Sequence, residues 1–220
     1  MILVVGNIKG GVGKTTLAVN IAVERSLADR DVLLVDGDEQ RTAMTFTQLR
    51  QESELVGYTS VALYGAALRT QVRLMAAKFA DIVIDVGGGD STSFRAGLTV
   101  ADALLVPVAP RTFDLWSIER VAELVAEARE LNERLAAWSV LNQADPNGSD
   151  NGVAAGILER VGAIRYLNMP IVRRKAWPNA AAAGKSILEG DDEKAIAEFK
   201  RMLAVLYGAG RKRAQRAPSE

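Results

Sequence analysis

Residues 7–16 read NIKGGVGKTT, a string built from residue types that hold phosphate. Gly10, Gly11 and Gly13, set around Val12, let successive backbone amides turn inward toward an anion. Lys14 is spaced to reach the outer phosphates, the Thr15 hydroxyl falls where it can coordinate magnesium, and Thr16 continues into the next turn. A glycine-rich turn that binds nothing would carry such a string on the order of once in a million chains at average composition. Counting back along the pattern GxxxxGK(S/T) nevertheless puts Ile8 where a first glycine belongs. A second lysine, Lys9, follows it directly.

The elements around this string suit the chemistry. ILVVG precedes it as a buried strand and TTLAVNIAVERSLA follows as a helix, so the loop ends on a helix N-terminus whose dipole favours an anion. Further apolar runs, DVLLVD, DIVIDV, DALLVPVAP and WSVLNQ, alternate with stretches of helical spacing. That alternation predicts an α/β fold, a mostly parallel twisted sheet with helices on both faces. Leu115, Ile118, Val121, Leu124, Val125, Ala128 and Leu131 recur at three- and four-residue steps and predict an amphipathic crossover helix. ADPNGSDNG at 144–152 reads as an exposed loop. One domain is expected over 1–208, followed by a basic, disordered tail over 209–220.

Composition narrows the chemistry further. The 220 residues contain 27 basic and 27 acidic side chains, no cysteine and no histidine. Thiolate zinc, iron–sulfur clusters and disulfides are excluded, and so is the commonest general base. Carboxylates, lysines, backbone amides and a hard cation remain. The residues before the first strand are too few for a signal-peptide core and no apolar run approaches a membrane span, so a cytoplasmic protein is expected. Cations gather late: Arg173, Arg174 and Lys175, then Arg211, Lys212, Arg213 and Arg216. Any contact with a polyanion is expected there.

KGGVGKTT resembles the deviant Walker A box of the ParA/MinD superfamily of ATPases. The resemblance implies a P-loop fold, ATP and Mg2+ as ligands, and an ATP-dependent homodimer. In it Lys9 reaches the partner subunit's phosphates, a cation supplied in trans, which makes Ile8 ordinary rather than a defect. VLLVDGDEQ resembles the family's DxDPQ, setting Asp36 at a strand end and giving Asp38 the role of positioning the attacking water; Glu39 stands where proline is usual. DIVIDVGGG resembles the Walker B strand and second switch, with Asp85 beside magnesium and Gly87, Gly88 and Gly89 free to respond to the terminal phosphate. The implied site thus uses Lys9, Lys14 and Asp38 for catalysis and Thr15, Asp38 and Asp85 around the metal. LNQ resembles a segment beside the base. Asn142 there is either the group that reads adenine or a strand-end asparagine capping its own turn.

The segment IVRRKAWPNAAAAGKSI is most similar to the small ParA proteins of plasmid partition, although AWPNAAAA is this chain's own. The expected function is a DNA-segregation ATPase. It would bind nonspecific DNA as an ATP dimer on the nucleoid and be released when a ParB-like centromere-binding or adaptor protein stimulates hydrolysis. The alternative keeps the switch and carries a non-DNA cargo, such as a microcompartment or protein cluster. A MinD-like membrane cycle needs bulky apolar residues on a C-terminal amphipathic helix, and GAGRKRAQRAPSE has none. Iron–sulfur relatives need cysteines, which are absent.

Overall fold

The computed structural model describes residues 1–110, 115–148 and 150–214, with backbone alone at 115–116 and 209–214. Strands β1 (Ile2–Val5), β2 (Val32–Gly37), β3 (Thr59–Ala62), β4 (Asp81–Val86), β5 (Ala103–Val108), β6 (Ala136–Ala144), β7 (Arg165–Tyr166) and β8 (Ile171–Val172) form one sheet. Its order is β3-β2-β4-β1-β5-β6-β7, with β8 also paired to β6, and every pairing is parallel. The helices are α1 (Lys14–Leu27), α2 (Thr42–Glu52), α3 (Gly65–Met75), α4 (Thr92–Leu98), α5 (Leu115–Arg129), α6 (Asp150–Leu158), α7 (Ala176–Ala182) and α8 (Glu193–Ala214).

Two cores lie on the two faces of this sheet, and the two-residue period of the strands divides them. Leu3 and Val5 of β1 point toward α1, α2, α7 and α8, packing with Leu17, Ile21, Phe46, Trp177 and Phe199. Val4 points the other way, toward Leu68 of α3, Phe94 of α4 and Val121 of α5. A fully buried side chain of this size stabilises by roughly 1.5–3 kcal/mol, so strands this short are held by packing rather than propensity. β1 lies between β4 and β5, so its neighbours were laid down from opposite sides. The carboxyl end of such a strand is where crossovers part and leave a crevice.

Three sequence expectations need correction. Leu131 is 74% exposed, because α5 ends at Arg129 and Leu131 falls beyond its last turn. The polar cluster at 144–152 is a loop only in its middle: β6 runs to Ala144, and α6 starts at Asp150, whose carboxylate suits a helix N-terminus. Helix α8 extends to Ala214, into the stretch expected to be tail, since Arg, Lys and Ala are good helix formers and no proline intervenes before Pro218.

A buried polar clamp joins the C-terminal segment to the first half of the chain. Arg50 of α2 is 1% exposed and makes paired bonds to Glu189 at 2.7 and 2.9 Å, with others to the carbonyls of Val56 and Gly184. Glu189 also caps the short 3-10 helix Ile187–Glu189 by accepting from the Ser186 amide. Asn20 of α1 completes the clamp, its Oδ1 accepting from the Ser186 hydroxyl and the Ile187 amide. Glu189→Gln strands the buried guanidinium without its counter-charge. It should cost about 3 kcal/mol of unfolding free energy, read as a lower urea midpoint at unchanged slope.

Candidate nucleotide site

The phosphate loop sits at the carboxyl end of β1, and side chains from neighbouring strands shape it. Asn7, buried, donates to the Pro107 carbonyl of β5 at 2.8 Å and accepts the Lys9 amide at 3.0 Å, anchoring the loop's entry. On the other flank Asn142 donates to the Val12 carbonyl at 2.8 Å and Gln143 to the Gly11 carbonyl at 3.0 Å. Gly13 adopts φ +85°, and any Cβ there would collide with the Asn142 amide. Both facts require glycine. Helix α1 begins here with no side-chain cap and no acid in its first turn, leaving its amides to an anion.

The charged groups converge on this loop. The Lys14 ammonium is buried and donates to the Lys9 carbonyl at 2.9 Å. Burial lowers its pKa, opposed by the nearby carboxylates of Asp85 and Asp38. Asp85 at the end of β4 is fully buried, and burial pushes its carboxyl up to about 8. The Thr15 hydroxyl offsets this in part, yet neither carboxylate oxygen has a partner in hydrogen-bond geometry. Asp36, level with Asp85 on the adjacent strand, is also raised by burial but accepts backbone amides of Met44 at 2.9 Å and Asp38 at 3.1 Å. Asp36 is therefore a brace for the loop after β2. Asp85 is the group without a partner.

Such a carboxylate beside a hydroxyl and a buried lysine fits a hard cation carried in with phosphates. Thr15, Asp38 and Asp85 are the residues that would hold magnesium. Among the described residues no group of three or more carboxylates gathers, here or elsewhere, so phosphate oxygens would have to supply the other ligands. Because the raised pKa means the folded state holds a proton that the unfolded state releases near 4, Asp85 should lower stability progressively as pH rises from about 4 to about 8. Asp85→Asn should flatten that part of the stability profile, measured by urea unfolding without nucleotide.

The loop after β4 touches the phosphate loop, the Gly89 amide donating to the Ile8 carbonyl at 2.7 Å. The loop after β2 touches the loop after β4 in turn, since a Cβ at Gly87 would press on the Asp38 carboxylate at 3.1 Å. Asp38 closes its own turn, its Oδ1 accepting from Gln40 and its carbonyl from Arg41. That bracing does locally what the missing proline at Glu39 would do through its ring.

Beside Gly13 and Thr16 opens a cavity of about 270 Å³, walled by Asn142, Gln143, Val172, Arg173, Trp177 and Pro178. Trp177 meets Phe199 edge-on, with ring centroids 5.7 Å apart, which fixes the wall. With Nδ2 spent on Val12, Asn142 has Oδ1 as its remaining polar atom, an acceptor suited to an exocyclic amino group. It is a brace of the loop as well as a candidate reader. Arg174 also lines the cavity but is not a free surface cation: Glu198 of α8 pairs with it at 2.7 Å. Arg173 and Lys175 are exposed. The side chains of Arg211, Lys212 and Arg213, and all of Arg216, lie outside the described residues.

A parallel sheet carrying a phosphate loop, two switch loops and an orphaned acidic side chain defines a P-loop nucleotide-binding protein. The chain belongs to the CobQ/CobB/MinD/ParA nucleotide-binding domain family, matched over residues 3–187. It is 28% identical over 188 residues to the maintenance of carboxysome distribution protein A of Halothiobacillus neapolitanus, covering 85% of this chain and 86% of that one. It is 24% identical over 180 residues to the protein ParA of Rhizobium radiobacter, covering 80% of each. In structure it is similar to an ATP complex of a variant McdA from Cyanothece, with TM-score 0.77, 17% identity, and 94% and 96% of the chains covered. Among the described residues no helix is long and apolar enough to cross a membrane.

Proposed function

We propose that this chain is a slow ATPase that dimerises on ATP and uses the dimer to distribute a cargo along nonspecific DNA, with DNA segregation as the leading role. The observation that carries the reading is the unpartnered Asp85 carboxylate beside Lys14 and Thr15, on a loop bonded to the second switch through Ile8 and Gly89. In this reading Thr15, Asp38 and Asp85 would hold a magnesium ion bound with ATP, which would supply neutralising charge to the outer phosphates. Lys14 binds its own subunit's phosphates, Lys9 reaches those of the partner, and Asp38 orients the attacking water. Asn142 accepts from the adenine amino group. Arg173, Lys175 and the cations at 211–213 contact DNA phosphates, and a ParB-like or adaptor protein speeds hydrolysis.

A second reading, a protein-cluster cargo, is favoured by the likeness to a carboxysome distribution protein. The two part in one experiment. Proteins captured from the source cell on the ATP-bound dimer are tested for stimulation of phosphate release. A stimulator that binds a specific DNA site supports segregation, one that binds a protein assembly supports the second reading, and an ATPase indifferent to DNA and to every captured protein overturns both.

A further inference from the structure

The late basic cluster is smaller than its sequence suggests, because Glu198 takes Arg174, whereas a second group of cations forms no ion pair among the described residues. Residues 55–80 contain Arg69, Arg73 and Lys78 and no acid at all. Arg69 and Arg73 stand four residues apart on α3, hence on one face and about 6 Å apart along the axis. Leu68 and Val72, each one residue earlier and about 100° round the helix, fasten it to the core. Lys78 follows in the turn closed by its amide on the Met75 carbonyl at 2.8 Å. All three are exposed, and none forms an ion pair among the described residues.

α4, packed alongside, has no acid within Thr92–Leu98, and Asp90 before it is occupied by Arg95 and Arg120; the exposed acid near Lys78 is Asp31, whose carbonyl accepts the Ala80 and Asp81 amides. At the start of α3 a fourth exposed cation joins: Arg41 donates from Nε to the Tyr64 hydroxyl at 3.0 Å, with Tyr64 immediately before the helix. Arg41 belongs to the turn closed by Asp38, so this end of the row is attached to the first switch loop, whose nearby exposed acid is Glu39.

We propose that Arg41, Arg69, Arg73 and Lys78 form a ridge along α3 and its flanking turns that binds the phosphates of duplex DNA without reading sequence. The proposal rests on the DNA-bound reading above and gives it a second surface. The row spaces long cationic side chains with the small residues Ala66, Ala67 and Thr70, its one aromatic, Tyr64, is tied up by Arg41, and the exposed Leu74 stands singly, which suits a phosphate backbone better than a protein partner. The link from Arg41 to the Asp38 turn makes the ridge's upper end responsive to the nucleotide.

The test compares the full chain with Arg69→Glu/Arg73→Glu, with the milder Arg69→Gln/Arg73→Gln, and with Arg173→Glu/Lys175→Glu. Binding to unrelated DNA duplexes is followed by fluorescence anisotropy with ATP at several salt concentrations, and ATP-dependent dimerisation by sedimentation serves as the folding control. The α3 charge reversal should weaken DNA binding roughly tenfold or more, and the glutamine pair should reduce the log–log salt slope by about 2, one unit per lost phosphate contact. Dimerisation should be unchanged in both α3 variants. Wild-type affinity in both α3 variants, with loss confined to the Arg173 and Lys175 changes, overturns the ridge and leaves the DNA-bound reading standing. Absence of DNA binding by the wild-type ATP dimer at low salt overturns both.

Discussion

Lys14→Ala should lose ATP binding by roughly a hundredfold, the about 3 kcal/mol expected when a charge-assisted contact is removed from a shielded site. Lys9→Ala should bind ATP with little change and fail to dimerise. The two lysines are five residues apart, and the Lys14 ammonium rests on the Lys9 carbonyl, yet the proposed mechanism gives their side chains different tasks. Lys14 is buried between the loop and the carboxylates of Asp85 and Asp38, where it can serve only its own subunit's phosphates. Lys9 lies at the loop's outer turn, its backbone fixed by Asn7. Calorimetry with ATP separates the binding losses, and sedimentation with ATP reads the dimer. A Lys9→Ala protein that dimerises and hydrolyses ATP normally would sink the trans-lysine assignment.

Asp38→Ala should slow ATP hydrolysis by roughly a hundredfold or more, the usual range for removing a group that positions or deprotonates a nucleophile. The starting rate should itself be well below a typical enzyme's about 10 per second, since no histidine is present as base. Geometry supports the assignment: Asp38 is half-buried against Gly87 of the second switch, while its neighbour Asp36 is locked onto backbone amides and unavailable. With binding intact and hydrolysis blocked, the variant should accumulate as a long-lived ATP dimer. Phosphate release and dimer lifetime measured together check this, and wild-type turnover in the variant would reassign the water to another group.

The catalytic half of the molecule was readable because its signals are local. Five strands announce themselves as continuous runs of valine, isoleucine and leucine, which a sheet buried on both faces demands, and the loop between β1 and α1 is a contiguous motif. β3 escaped notice because TSVA lies at the sheet edge, half exposed, where no continuous apolar run is needed. β7 and β8 have two residues each, too short for any period. The Arg174–Glu198 pair escaped for another reason: its members are 24 positions apart and meet only after α8 folds back on β8. Asn7, Gln143 and Asn20 likewise reveal their roles only through partners distant in sequence, and no spacing rule would have found them. Asn142 was legible as a candidate, but its bond to Val12 was not.

That bond and its neighbour from Gln143 have a kinetic consequence. Two side-chain amides from β6 hold the Val12 and Gly11 carbonyls, fixing the orientation of those peptide planes before any ligand arrives. The entropy of arranging the loop is met when the chain folds rather than when the nucleotide arrives. Association should then proceed at ordinary docking rates of about 10⁵–10⁷ per molar per second for any nucleotide that fits, with discrimination expressed in residence time. The protein would sample the cell's nucleotides indiscriminately and commit only to those that stay.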